Sequence, residues 1–200
     1  IMKTTTRVSI STLIMFFIII LLGATGYFGF TSMHKKIVAL EEISNELDEV
    51  SHLDLSLHES VSYLNNYLVT GDPDECKKYK KASAEVKESF DRVAAYEPGD
   101  DASLENAKRL YANIDKMAEE LFEYEVPLDS KDAVTLMSEI QQTADWISRL
   151  YIQIHQIKDR GKLDRIIKEA DATRRWVDRV QITGAISALI MGLILILYKR

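Results

Sequence analysis

Four histidines and one cysteine are the side chains here best suited to metal or nucleophilic chemistry, and their spacing favours neither. His52 and His58 stand six residues apart, which puts them on different faces of a helix and makes a poor chelate. His34 and His155 lie far from both, and all four read as partly exposed helix residues. No CxxCH motif occurs, which removes covalent c-type haem. Cys76 is the only cysteine, so no intramolecular disulfide can form. It falls in phase with Tyr79, Val86 and Phe90, as a small core-facing residue near a helix start does; the sharper reading is a thiol activated by the helix N-terminus. No catalytic constellation, metal site or cofactor is expected, and the chain does not read as an enzyme.

Binding a small molecule suits the residue types better. Tyr63, Asn66 and Tyr67 fall near the far end of one long helical pattern, with His52 further back. Arg109 belongs to a third pattern, and Gln141, Gln142, Trp146 and Arg149 to a fourth. Two arginines can grip a carboxylate, and Trp146 with the tyrosines can supply amphipathic walls. The candidate ligand set is therefore Tyr63, Asn66, Tyr67, Arg109, Gln142, Trp146 and Arg149.

Two uncharged runs frame these residues. Val8 to Phe30 carries no charge and is long enough to cross a bilayer core at about 1.5 Å per residue. Ile182 to Leu197 does the same when Val180, Gln181 and Tyr198 are included. The first run is too long for the apolar part of a signal peptide, and no clear small-x-small site follows it. Small residues recur in both: Gly23, Gly26 and Gly29 every three positions, Gly184, Ala188 and Gly192 every four. The second spacing is a small-xxx-small face that lets helices approach closely, with Thr25, Thr183 and Ser187 as further hydrogen-bonding groups.

All 31 acidic residues lie between the runs, against 21 of the 25 Lys and Arg, so the intervening segment carries a net charge of −10. Such a surface is a poor partner for nucleic acid. Two spans put both termini on one side, and Lys3, Arg7, Lys199 and Arg200 mark it as the inner side. Lys35, Lys36, Arg174, Arg175 and Arg179 flank the other side as densely, but long loops translocate largely regardless of charge. The expected order is a cytoplasmic tail (1–7), a transmembrane helix (8–30), an extracytoplasmic domain (31–179), a second transmembrane helix (180–198) and the start of a cytoplasmic region (199–200).

The domain reads as all-α. A first apolar seam runs Ile37, Leu40, Ile43, Leu47, Val50, Leu53, Leu57, Val61, Leu64, Leu68, in steps of three or four. No Pro or Gly lies between Thr31 and Thr70, so span and seam can form one helix. Gly71 suits a helix end, Asp72 an N-cap, Pro73 the first helical position, and Asp74 with Glu75 the positive end of the dipole. The second seam is Cys76, Tyr79, Ser83, Val86, Phe90, Val93, ending at "YEPGDDAS", Tyr96 to Ser103. The third is Leu104, Ala107, Leu110, Ile114, Met117, Leu121, Tyr124, ended by Pro127, with Asp129 or Ser130 capping the next helix. The fourth is Val134, Met137, Ile140, Ala144, Ile147, Tyr151, Ile154, Ile157. It loses phase over Lys158 to Arg165 and resumes at Ile166, Ala170, Thr173, Val177 and Val180. Either a distortion near Gly161 absorbs the mismatch, or the stretch is a solvated, charged one where the bundle has thinned to fewer helices. The sum is an antiparallel extracellular four-helix bundle continuous with two transmembrane helices.

"MKTTTRVSISTLIMFFIIILLGATGYFGF", residues 2 to 30, is similar to the opening of bacterial methyl-accepting chemotaxis proteins of the four-helix-bundle type. "YLNNYLVTGDPDECKKYKKA", Tyr63 to Ala82, resembles the first reversal of related sensor domains, with Asn65 and Asn66 where an arginine often stands. Such domains occur on chemoreceptors, histidine kinases and cyclic-dinucleotide synthases. The resemblance implies a homodimer in the inner or plasma membrane, with its bundle in the periplasm or extracellular space. It implies a small-molecule or protein stimulus and cytoplasmic signalling partners reached through a region beyond Arg200. The alternatives are the sensor region of a histidine kinase and a two-span scaffold that senses nothing.

Overall fold

The computed structural model describes residues 2–96 and 102–198, with side chains for 12–96 and 102–194. The side chains of Lys3 and Arg7, all of Lys199 and Arg200, and most of the expected Tyr96–Ser103 break lie outside the described residues. Among the described residues five α-helices occur in chain order: α1 Met2–Thr70, α2 Pro73–Ala94, α3 Ala102–Leu121, α4 Lys131–Ile147 and α5 Gln153–Tyr198. A 3₁₀ turn, Pro127–Asp129, precedes α4, and a π-helical segment, Ser148–Ile152, joins α4 to α5. The described residues contain no strand, and the fold is all-α.

The turn between α1 and α2 forms from the residues the sequence indicates. Gly71 takes φ +63, and its N–H donates to the Tyr67 carbonyl at 2.8 Å. The Asp72 carboxylate accepts from the Asp74 N–H at 2.9 Å, and Pro73 occupies the first turn of α2, where its missing N–H costs nothing. Ser130 caps α4 by accepting from the Ala133 N–H at 3.3 Å. α3 stops at Leu121, earlier than Pro127 alone suggests, and a non-helical stretch follows it.

The chain divides into two compact units, Glu42–Lys162 and Ile1–Glu41 with Leu163–Arg200. The core of the first draws on α1, α2, α3, α4 and the π segment. Ile43, Val50, Leu53, Leu57, Val61, Leu64 and Leu68 are buried as the first seam requires, whereas Ile37 is exposed. Tyr79, Ser83, Val86, Phe90 and Val93 face inward from α2. On α3, Leu104, Ala107, Ile114 and Leu121 are buried, but Tyr111 and Ala118 take the places expected for Leu110 and Met117. α4 buries Ala133 in place of Val134.

The largest departure lies past Ile147. Ile154 and Ile157 are 52% and 72% exposed, and Ile152, His155 and Asp159 are buried instead, at 0%, 5% and 0%. The physical reason is helical phase. Ile157 and Ile166 are nine residues apart, about 2.5 turns, so an undisturbed α-helix presents them on opposite sides. The π segment inserts one extra residue and advances everything after it by about 100°. Residues 155, 159, 162 or 163, and 166 then follow one another at helical spacing. Gly161, the expected place for any distortion, sits in regular helix within α5.

In the second unit, two helices are long and apolar enough to cross a membrane, and almost none of either apolar window is buried within the protein. A Cβ at Gly29 would lie 2.6 Å from Val177 Cγ2, and one at Gly184 would overlap Leu22, so the helices are in close contact at these two glycines. Gly26 is at ordinary contact distance from Gln181, while Gly23 and Gly192 have open space beside them. Ala188 is half-buried. A three-residue repeat slips by about 60° per step on an α-helix, so Gly23, Gly26 and Gly29 cannot all face one neighbour. The Lys36 ammonium donates to Thr173 Oγ1 at 2.9 Å in the same unit.

Replacing Gly71 by alanine should cost about 1–2 kcal/mol, the usual penalty for a side chain in the left-handed region. The added Cβ would also sit 3.1 Å from the Glu125 carbonyl oxygen. Urea denaturation of the Gly71→Ala variant measures this.

Candidate functional site

Two grooves open between helices of the Glu42–Lys162 unit. One, of about 220 Å³, is lined by Leu57, His58, Val61, Ser62 and Asn65 of α1 and by Gln141, Ala144 and Asp145 of α4. Its floor is apolar and its rim carries an imidazole, two amides and a carboxylate, so it can orient a small polar molecule. The other, of about 430 Å³, runs between α3 and α4 past Leu110, Asn113, Lys116, Met117, Glu139, Gln142 and Thr143.

The seven predicted ligand residues are distributed differently from these linings. Gln142 is the only one that lines either groove. Arg109, Trp146 and Arg149 are exposed, Trp146 with just over half its surface in solvent. Tyr63 donates to Glu59 Oε1 at 2.7 Å along α1, and Asn66 reaches Glu75 Oε2 at 3.3 Å. Tyr67 is part of the core. Its O–H donates to the carbonyl oxygens of Tyr124, 2.9 Å, and Phe122, 3.3 Å, and its ring meets Phe122 edge-on with centroids 5.0 Å apart. It satisfies carbonyls left free where α3 ends.

Beside the smaller groove, Asp54, His58 and Ser148 meet. Ser148 Oγ donates to Asp54 Oδ1 at 3.0 Å, and His58 Nδ1 lies 3.4 Å from the same oxygen. The hydroxyl is bonded to the carboxylate, not to the imidazole. A nucleophilic relay needs the imidazole in between. What this contact does is fasten the first residue of the π segment to α1.

Sequence reasoning missed a polar hub between α2 and α3. Asp115 Oδ1 accepts from Tyr79 O–H and from Ser83 Oγ, both at 2.7 Å, and its Oδ2 pairs with Lys87 Nζ at 2.7 Å. Tyr111, almost wholly buried, has a hydroxyl beside this hub with no hydrogen-bond partner among the described residues. Burial, the neighbouring Tyr111 and the Asp115 carboxylate all push the Tyr79 phenol far above the usual tyrosine range. The signal was present as Tyr79 and Ser83 four apart in a core seam, but only the partner helix reveals Asp115. Further along α2, Arg92 Nε pairs with Glu49 Oε2 of α1 at 2.8 Å and an Arg92 amino group donates to buried Ser89.

Cys76 is half-buried, and burial, the leading cause, raises its thiol pKa. That shift works against a thiolate nucleophile and agrees with the core-facing reading. His155 is buried, contrary to the expectation of partial exposure, and packs on Tyr151 with ring centroids 4.3 Å apart. The described residues hold no group of three His, Cys, Asp or Glu side chains arranged for a metal. No family model matches the chain, and neither a curated protein nor a solved structure matches it.

The hub has two measurable consequences. Asp115→Ala strands the Tyr79 and Ser83 hydroxyls and should lose about 1–3 kcal/mol by chemical denaturation, more than Tyr79→Phe. The Tyr79 phenol has a raised folded-state pKa, so its contribution is fully present below the unfolded value of about 10 and is lost as pH rises beyond it. Stability measured from pH 8 to 11 should therefore fall less steeply in Tyr79→Phe than in the native chain.

Proposed function

We propose that this chain is the sensory and membrane-spanning portion of a transmembrane receptor of the chemoreceptor type. In this reading, an extracytoplasmic antiparallel four-helix bundle stands on two membrane helices and passes a stimulus inward by helix displacement. The observation that carries the proposal is the span of two helices. α1 runs unbroken from the first apolar segment into the core of the Glu42–Lys162 unit, and α5 runs from that unit into the second. A helix has no loop in which to dissipate a shift, so a change in core packing reaches residues near the bilayer. A coupling of about 1–3 kcal/mol is enough for small displacements of this kind.

The cross-helix partners support antiparallel neighbours. Asn66 meets Glu75 near the turn while Glu49 meets Arg92 far from it. Asp115 meets Tyr79 and Lys108 meets Asp91, so α3 counts down as α2 counts up. Asp54 with Ser148 and Glu46 with Lys162 continue the pattern between α1 and the fourth helical run. The acidic surface of the segment between the spans suits a water-facing domain, and the smaller α1–α4 groove is the place for a small polar ligand. Homodimerisation is part of the reading, and lipid surrounds the spans.

Topology reporters test the membrane arrangement. One inserted within residues 97–101 should report the external side and one joined after Arg200 the cytoplasmic side; the reverse pattern overturns the proposal. Transmission is tested by joining the chain after Arg200 to the signalling portion of a chemoreceptor. Gly184→Leu, which forces the span against Leu22, should change kinase output, and an unaltered output would favour a scaffold.

A further inference from the structure

The π segment at Ser148–Ile152 is one of two places where the extra residue can reside. Upstream, the α4 seam through Ile140, Ala144, Ile147 and Tyr151 calls for Ile154 and then Ile157 in an unbroken α-helix. Downstream, Ile166, Ala170, Thr173, Val177 and Val180 define a second seam. One inserted residue reconciles them wherever it falls between Ser148 and Leu163. Placed at Ser148–Ile152, it turns His155 and Asp159 inward and leaves Ile154 and Ile157 in solvent. Placed about ten residues later, it leaves both seams where they are and rotates only the stretch between by about 100°, so that Ile154 turns in, Ile157 approaches the core, and His155 and Asp159 turn out.

The opposing terms are visible in the residues. The observed register keeps two isoleucines in water and buries a carboxylate completely. It is held by the Ser148–Asp54 hydrogen bond, by burial of Tyr151 and Ile152, and by Lys162, whose Nζ lies 2.6 Å from Asp159 Oδ1 and 3.8 Å from Glu46 Oε2. Asp159 and Glu46 are both buried, and the half-exposed Lys162 ammonium stands beside both. The later site contains Gly161, whose missing side chain has nothing within 4 Å and whose backbone adapts most readily to an irregular turn.

We propose that the α4–α5 run is a two-register device, in which the extra residue migrates between Ser148–Ile152 and the neighbourhood of Gly161 and exchanges His155 and Asp159 for Ile154 and Ile157 against α1. Glu46 and Lys162 act as the latch. This rests on the geometry of the helix and holds whether or not the chain is a receptor.

Ile157→Cys, in a Cys76→Ser background of the full chain in detergent micelles, reports the register by its rate of maleimide labelling. Removing the latch with Lys162→Gln should slow labelling at this position about tenfold, as the exposed population falls from most molecules to roughly a tenth. Deleting Leu150, an exposed residue of the π segment, removes the extra residue, leaves His155 and Asp159 facing inward and allows only one register. In that background Lys162→Gln should leave labelling fast. Unchanged labelling in Lys162→Gln, or faster labelling of the kind that unfolding gives, overturns the proposal. So does slow labelling that persists when Leu150 is deleted.

Discussion

A helix that packs along its whole length must keep its buried residues in phase, and in this protein one residue decides whether the fourth helical run does so. The α4 seam and the seam that resumes at Ile166 are about a quarter of a turn apart when joined by regular α-helix. Either one seam is abandoned to solvent or the helix takes in an extra residue. The chain does the latter at Ser148–Ile152, and the choice of place determines which side chains meet α1. Buried His155 and Asp159, exposed Ile154 and Ile157, and the Lys162 contacts with Asp159 and Glu46 all follow from it.

The rest of the unit tolerates polar groups for a related reason. The helices of the Glu42–Lys162 unit are joined by directional bonds as well as by burial. Asp115 ties two points of α2 to α3 through hydroxyls one turn apart. Tyr67 closes the end of α3 by bonding carbonyls that no longer have helical partners. Arg92 joins α2 to Glu49 of α1 at the opposite end. Each contact sets the axial position of one helix against another, a degree of freedom that leucine and valine leave loose.

The unit of Ile1–Glu41 with Leu163–Arg200 works by different means. Its apolar surface faces outward, so burial from water does not bring its helices together. Close approach at Gly29 and Gly184 does, through contact with Val177 and Leu22. Thr25 and Ser187 turn their hydroxyls back to their own helix, at the carbonyls of Leu21 and Thr183, and supply no bridge between helices.

Much of the fold was legible in residue order. Helix identity, the stop at Gly71, the caps at Asp72 and Ser130, the α1 and α2 seams from Ile43 onward and the two apolar runs depend on local conformation and on a 3.6-residue period, which a linear sequence carries in full. The candidate site was not legible. Tyr67 looked like a ligand wall and is a core tie, because its use depends on where α3 ends. Arg109 and Arg149 are exposed, because a level counted along the sequence does not fix which way a side chain turns. The loss of phase before Ile166 was visible, but its remedy was not: the sequence determined that the seam is interrupted, and only packing against α1, where Asp54 holds Ser148 and Lys162 stands by Glu46, decided that an extra residue sits at Ser148–Ile152.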